Sequence, residues 1–187
     1  MKARLFVLIG ILCIVSAVMI GPAAAATYGT AAVTGNPKIT VSIALNLSSI
    51  FLDLDPAASP ATNASLAILV SSNTGSFYIN VNDSSGRAGG DLGYMGNYTG
   101  AGYDPINTKL AAALNLAGTT NTTGSTTTAQ GLSYPIQGAQ ALYTGSGKVS
   151  DQLLVPNTFS QVVAYSDDRL PSPSVYRMDL TFEIGAT

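Results

Sequence analysis

Two short carboxylate clusters, Asp53-Leu54-Asp55 and Asp167-Asp168, could do chemistry by type and spacing, as could three tyrosines in a glycine-rich stretch, Tyr94, Tyr98 and Tyr103, and five Asn-X-Ser/Thr triplets. Paired Asp side chains could offer calcium several of the oxygens that a hard cation needs. Neither cluster has the spacing of a calcium loop, and Asp before Pro or inside a turn is ordinary turn chemistry, so no metal site is expected. The tyrosines could form a platform for stacking sugar rings. The competing reading is a loop that folds back and buries its own rings, or buries them against a neighbouring subunit. The triplets start at Asn46, Asn63, Asn82, Asn97 and Asn121 and are candidate glycan acceptors in an exported chain. Asn97 and Asn121 fall in expected loops and are favoured over Asn63 and Asn82. Asn46 lies on an expected strand face, where a glycan would block pairing.

The remaining options for catalysis are few. The chain has no histidine, its single cysteine is Cys13, and its single glutamate is Glu183. Histidine bases and the commonest transition-metal ligand are therefore excluded, and no second carboxylate is selected to make an acid pair with Glu183. The glycines at positions 86, 89, 90, 93 and 96 are not followed by Gly-Lys-Ser/Thr, so they read as a flexible loop rather than a phosphate cradle. No catalytic residue, no cofactor and no enzyme activity are expected.

The elements that would position these residues start with an export signal. Lys2 and Arg4 precede an apolar run from Leu5 to Ile20, which breaks at Gly21-Pro22 and ends in Ala23 to Ala26. The run is shorter than the roughly 20 residues that cross a bilayer, so residues 1–26 are expected to be a cleaved signal peptide rather than an anchor, leaving no membrane span. Residues 27–37 read as an extended arm and 38–187 as one domain. Past residue 26 there are six basic residues, Lys38, Arg87, Lys109, Lys148, Arg169 and Arg177, against ten acidic ones. They make no patch for nucleic acid. Charged residues are 10% of the chain, well below the roughly 25% of ordinary soluble domains, so the surface repels its own copies weakly.

Periodicity is close to two throughout. Ile39, Val41, Ile43, Leu45 and Leu47 alternate with polar or small residues, and Ile50, Leu52 and Leu54 continue the alternation to Asp55-Pro56. Residues 64–83 read as a hairpin around Asn73-Thr74-Gly75. Residues 84–105 read as a long loop, 107–117 as a short helix capped by Asn107 and ended by Gly118, and 119–131 as a low-complexity excursion open to glycosylation. Strands over 132–142, 153–165 and 175–184 complete the pattern. The last places Tyr176, Met178, Leu180, Phe182 and Ile184 on one face. About seven strands without crossover helices predict an all-β, antiparallel, two-sheet sandwich of immunoglobulin-like type.

The order of an opening alternating strand, the hairpin at Ser71-Ser72-Asn73 with Phe77 after it, a long variable middle and the paired finish over 159–184 resembles secreted immunoglobulin-like sandwiches of microbial surface and fibre proteins, with the layout of coat-type and camelysin-type domains. The composition is also similar to that of the cell-sheath subunit of methanogenic archaea, a resemblance that implies amyloid-like rings of arched strands joined between subunits. Independently, strand 39–47 carries no charge, 176–184 carries only Arg177, Asp179 and Glu183 on its polar face, and neither holds a proline, so both have few of the features that protect sheet edges. The expected function is that of a secreted structural subunit that pairs with itself into an extracellular sheath, S-layer-like array or fibre. The alternatives are a cell-surface adhesin that binds carbohydrate through the tyrosines, and a filament subunit that donates its arm as a strand.

Overall fold

The computed structural model describes residues 37–122 and 126–187. The chain divides at Pro37/Lys38, and the account below is of the unit from Lys38 onward. The expected signal peptide and arm lie outside the described residues.

Among the described residues ten strands form, β1 (Val41–Leu45), β2 (Ala61–Ser72), β3 (Ser76–Asp83), β4 (Gly96–Tyr98), β5 (Asn115–Ala117), β6 (Thr127–Ala129), β7 (Gln140–Ser146), β8 (Val149–Gln161), β9 (Val175–Arg177) and β10 (Leu180–Ala186). Sheet 1 has the order β1-β2-β8-β5 and sheet 2 the order β10-β3-β7-β6, while β4 and β9 make a separate ribbon; every pairing is antiparallel. One apolar core lies between the two four-stranded sheets. Leu66, Ile68 and Val70 of β2 and Leu154 and Phe159 of β8 meet Phe77, Ile79 and Val81 of β3 in it. The fold is the all-β sandwich that the period-two pattern predicts. Among the described residues no helix is long and apolar enough to cross a membrane.

Several element boundaries differ from expectation. No helix forms over 107–117: Asn107 has φ 58°, a left-handed conformation rather than the extended one of a helix cap, and 115–117 pair with β8 instead. Leu110, Leu114 and Leu116 are buried there, so tertiary pairing overrides the helix propensity of Ala and Leu. Residues 50–55 join no strand. Leu52 is nevertheless buried, and Ile50 and Leu54 pack against the core as their alternation requires. The excursion over 119–131 is partly structured, because Thr127 of β6 is fully buried and donates its hydroxyl to Gln152 Oε1 at 2.8 Å. The final expected strand is two, β9 and β10, separated at Met178-Asp179.

Candidate functional site

The two strands singled out from the sequence for assembly are placed on sheet edges. β1 is the edge of sheet 1 and β10 the edge of sheet 2, and they face each other across the sandwich. The opposite edges, β5 and β6, are three residues each. Ile39 stands before β1 and is 74% exposed; Val41, Ile43 and Leu45 belong to β1; Tyr176 belongs to β9, Met178 to the break, and Leu180, Phe182 and Ile184 to β10.

The phase of each ladder decides which backbone groups are left over. The Asn46 N–H donates to the Ala67 carbonyl at 3.2 Å and the Asn73 N–H to the Thr40 carbonyl at 3.1 Å, so the even-numbered residues of β1 bond to β2. The backbone groups of Val41, Ile43 and Leu45 then point away from the sheet. In β10 the Ser84 N–H donates to the Asp179 carbonyl at 2.8 Å and the Thr187 N–H to the Ser76 carbonyl at 3.3 Å, which puts odd-numbered residues on the β3 side. Leu180, Phe182 and Ile184 therefore turn their N–H and C=O groups outward. On both strands these are also the residues that turn their side chains toward the core.

The two edges flank an incompletely filled seam. Ile43, Leu180, Phe182 and Ile184 pack against the core yet are only half-buried. At one end the seam opens into an apolar groove of about 1030 Å³ between Leu45, Leu47 and Phe51 on one wall and Met178, Leu180 and Phe182 on the other. Phe51 is 81% exposed at its mouth. β1 carries no charged residue, and β10 carries only Glu183. The sequence signal for the groove was present in Leu47 and Phe51, but its shape depends on where residues 47–56 run.

The tyrosine loop folds onto itself. The Arg87 guanidinium lies over the Tyr103 ring at 4.9 Å, Arg177 over Tyr98 at 4.4 Å, and the Lys109 ammonium over Tyr94 at 4.5 Å. Tyr98 and Tyr103 meet edge to face, 5.3 Å between centroids. Tyr103 donates its hydroxyl to Asp179 Oδ2 at 2.9 Å, and Arg177 binds the other oxygen at 2.7 Å. Burial, and next the bond to Asp179, push the Tyr103 hydroxyl well above the ordinary tyrosine range. Each ring thus has a face taken by a cation of the same chain, and the rings do not form a flat platform. Three of the six basic residues past residue 26 serve this cluster, a role that sequence spacing did not reveal.

One carboxylate of each pair holds backbone N–H groups. Asp55 Oδ1 accepts from the Ala57 N–H at 2.8 Å at the start of a short 3₁₀ turn, and Asp167 takes the N–H groups of Ala111 and Ala164 at 3.0 and 2.8 Å. Among the described residues no group of three or more metal-ligating side chains occurs. Asn97, expected in a loop, belongs to β4 with its Nδ2 on Asp104 at 3.3 Å, and Asn121 is bridged to Thr127. Asn63 and Asn82 lie on β2 and β3. No family model, curated protein or solved structure matches this chain.

Proposed function

We propose that this chain is a secreted structural subunit that polymerises outside the cell by pairing its exposed strand edges with those of sister molecules. The observation that carries the reading is the seam: its half-buried apolar side chains and its unpaired backbone groups belong to the same residues of β1 and β10. An incoming strand would satisfy both at once. It would extend a sheet by main-chain hydrogen bonds and cover Phe182, Leu180 and Leu45, each such side chain contributing about 1 kcal/mol or more when its exposed part is removed from water. Natural sheets shield edges with charge, proline or bulges, and β1 and β10 have one charge between them and no proline. The role is structural rather than catalytic, and one carboxylate of each cluster, Asp55 and Asp167, is occupied by backbone N–H groups. The cell-surface sheath or fibre implied by the resemblance is one setting for such a polymer. The carbohydrate-binding alternative draws less support, because the candidate tyrosines are stacked on the chain's own cations.

The test uses the chain from residue 27 onward, examined by size-exclusion chromatography and electron microscopy. The unsubstituted protein should form large β-rich assemblies. Ile43→Lys and Phe182→Lys, which put a charge into the seam from either side, should give monomers that keep their sheet circular dichroism. A protein that stays monomeric when concentrated, or assemblies indifferent to both substitutions, would overturn the proposal.

A further inference from the structure

We propose that Asn82 is the N-glycan acceptor of this chain and that the other four triplets are unmodified in the folded protein. The inference rests on export of the chain but not on pairing of its edges. A glycan replaces one hydrogen of Asn Nδ2 and needs open solvent in front of that nitrogen. Four of the five asparagines use that nitrogen in the fold. Asn46 Nδ2 donates to the Ser65 carbonyl at 3.0 Å while its Oδ1 accepts from the Ala67 N–H at 2.6 Å, so the side chain prolongs the β1–β2 ladder. Asn63 Nδ2 donates to the Phe51 carbonyl at 3.0 Å and ties the 47–56 segment to β2. Asn97 Nδ2 is on the Asp104 carboxylate, with its own Oδ1 buried. Asn121 Nδ2 approaches the Leu153 carbonyl at 3.4 Å.

Asn82 differs. Among the described residues its side chain has no hydrogen-bond partner. It follows Val81, the last β3 residue paired with β7, and stands opposite Thr181 of edge strand β10. The alternation of β3 sends Phe77, Ile79 and Val81 into the core and the half-buried Asn82 to the outer face beside Asn80, Thr181 and Glu183, a polar neighbourhood. That direction is perpendicular to the outward backbone groups of β10, so a glycan there leaves the edge open.

The middle residue, Asp83, is buried and ion-paired with Arg87 at 3.6 Å, so transfer must precede folding and the fold must accommodate the product. In transfer, Nδ2 attacks C1 of a polyprenyl-phosphate-linked sugar. The N–C1 bond forms, the C1–O bond to phosphate breaks, the polyprenyl phosphate leaves, and the amide proton passes to a base of the transferase.

The experiment is glycopeptide mass spectrometry of the protein isolated from its own cells, beside Asn82→Gln and Ser84→Ala variants produced in the same cells. One glycan is expected, on the peptide holding Asn82, and lost completely in both variants with thermal stability retained. Occupancy at Asn46, Asn63, Asn97 or Asn121, or an unmodified Asn82, would overturn the assignment. Microscopy of the same material separates the two readings: bare Asn82 within an assembled polymer sinks only the glycan site, and glycosylated monomers sink only the assembly.

Discussion

Tyr143 shows how a chain with neither disulfide nor histidine among its described residues fixes its interior. The ring crosses Gly118, where a Cβ would run into the hydroxyl, and that hydroxyl donates to Asn157 Oδ1 at 2.6 Å and accepts from the Thr119 N–H at 3.1 Å. Asn157 in turn donates to the carbonyls of Leu66 and Leu154, so one buried amide links β2, β7 and β8. Removing the hydroxyl strands one buried partner, Asn157 Oδ1. Tyr143→Phe is expected to cost about 1–3 kcal/mol and lower the melting temperature by roughly 5 °C, measured by calorimetry on a non-assembling background. Alkaline pH acts on the same chemistry. Burial is the foremost cause that raises the hydroxyls of Tyr103, Tyr134, Tyr143 and Tyr176 above their ordinary range. The stability gained from keeping them neutral is complete below about pH 10 and is lost as pH climbs from there toward their folded values, because the unfolded chain gives up protons that the folded one holds. With no histidine to titrate, melting temperature should be nearly level between about pH 6 and 9 and fall above about pH 10. A decline centred near pH 6.5 would contradict this.

The elements divide by whether their own residues carry the signal. Strands β2 and β3 were legible because alternation and the Asn73-Thr74-Gly75 turn are local signals, and β10 because Leu180, Phe182 and Ile184 keep strict period two. The hairpin expected over 64–83 does not form: β2 pairs with β1 and β8 in sheet 1 and β3 with β10 and β7 in sheet 2, so the turn carries the chain from one sheet to the other. The segment 107–117 was not legible. Its Ala and Leu content favours helix, and only β8, more than forty residues further on, supplies the backbone that makes 115–117 a strand. The bulge in β7 is similarly hidden: Ile79 pairs with Tyr143 and Asn80 with Ala141, leaving Leu142 as an extra residue, so two consecutive residues are buried where alternation allows one. For the candidate site, the sequence named the strands at the edges, since lack of charge and proline is visible residue by residue. It did not show the groove, because the path of 47–56 is set by Asn63 holding the Phe51 carbonyl. Two leucines in adjoining elements test this division. Leu116→Ala in β5, 1% exposed, should lose about 2–5 kcal/mol, and Leu153→Ala on the outer face of β8, 50% exposed, less than about 0.5 kcal/mol, both read from denaturant unfolding. Equal losses would mean that β5 is not part of the core.

At the scale of the whole molecule, what would hold a polymer of these subunits is hydrogen bonding and apolar contact rather than charge. Of the charged side chains, Arg87, Arg177, Lys109, Asp83, Asp91 and Asp179 are spent on pairs within the subunit; β1 and β10 themselves carry only Glu183, while Asp167, Asp168 and Arg169 also line the groove. Screening shortens the reach of surface charges from about 10 Å at 0.1 M salt to about 3 Å at 1 M without touching main-chain pairing. Assembly measured by light scattering should therefore be unchanged, or favoured, as salt rises from about 0.1 to 1 M; dissolution by salt would identify ionic contacts as the ones that matter. The same logic separates edge pairing from strand donation by residues 27–37. Edge pairing needs only β1 and β10, which begin at Val41 and Leu180, so a chain starting at Lys38 retains every group that the seam offers and should polymerise as the longer chain does. Strand donation removes the inserted segment with the arm, leaves Leu180, Phe182 and their backbone groups unfilled, and predicts monomers. Polymerisation of the chain from Lys38 would place the partner strand within the sandwich itself, whereas monomers rescued by an added peptide of residues 27–37 would place it in the arm.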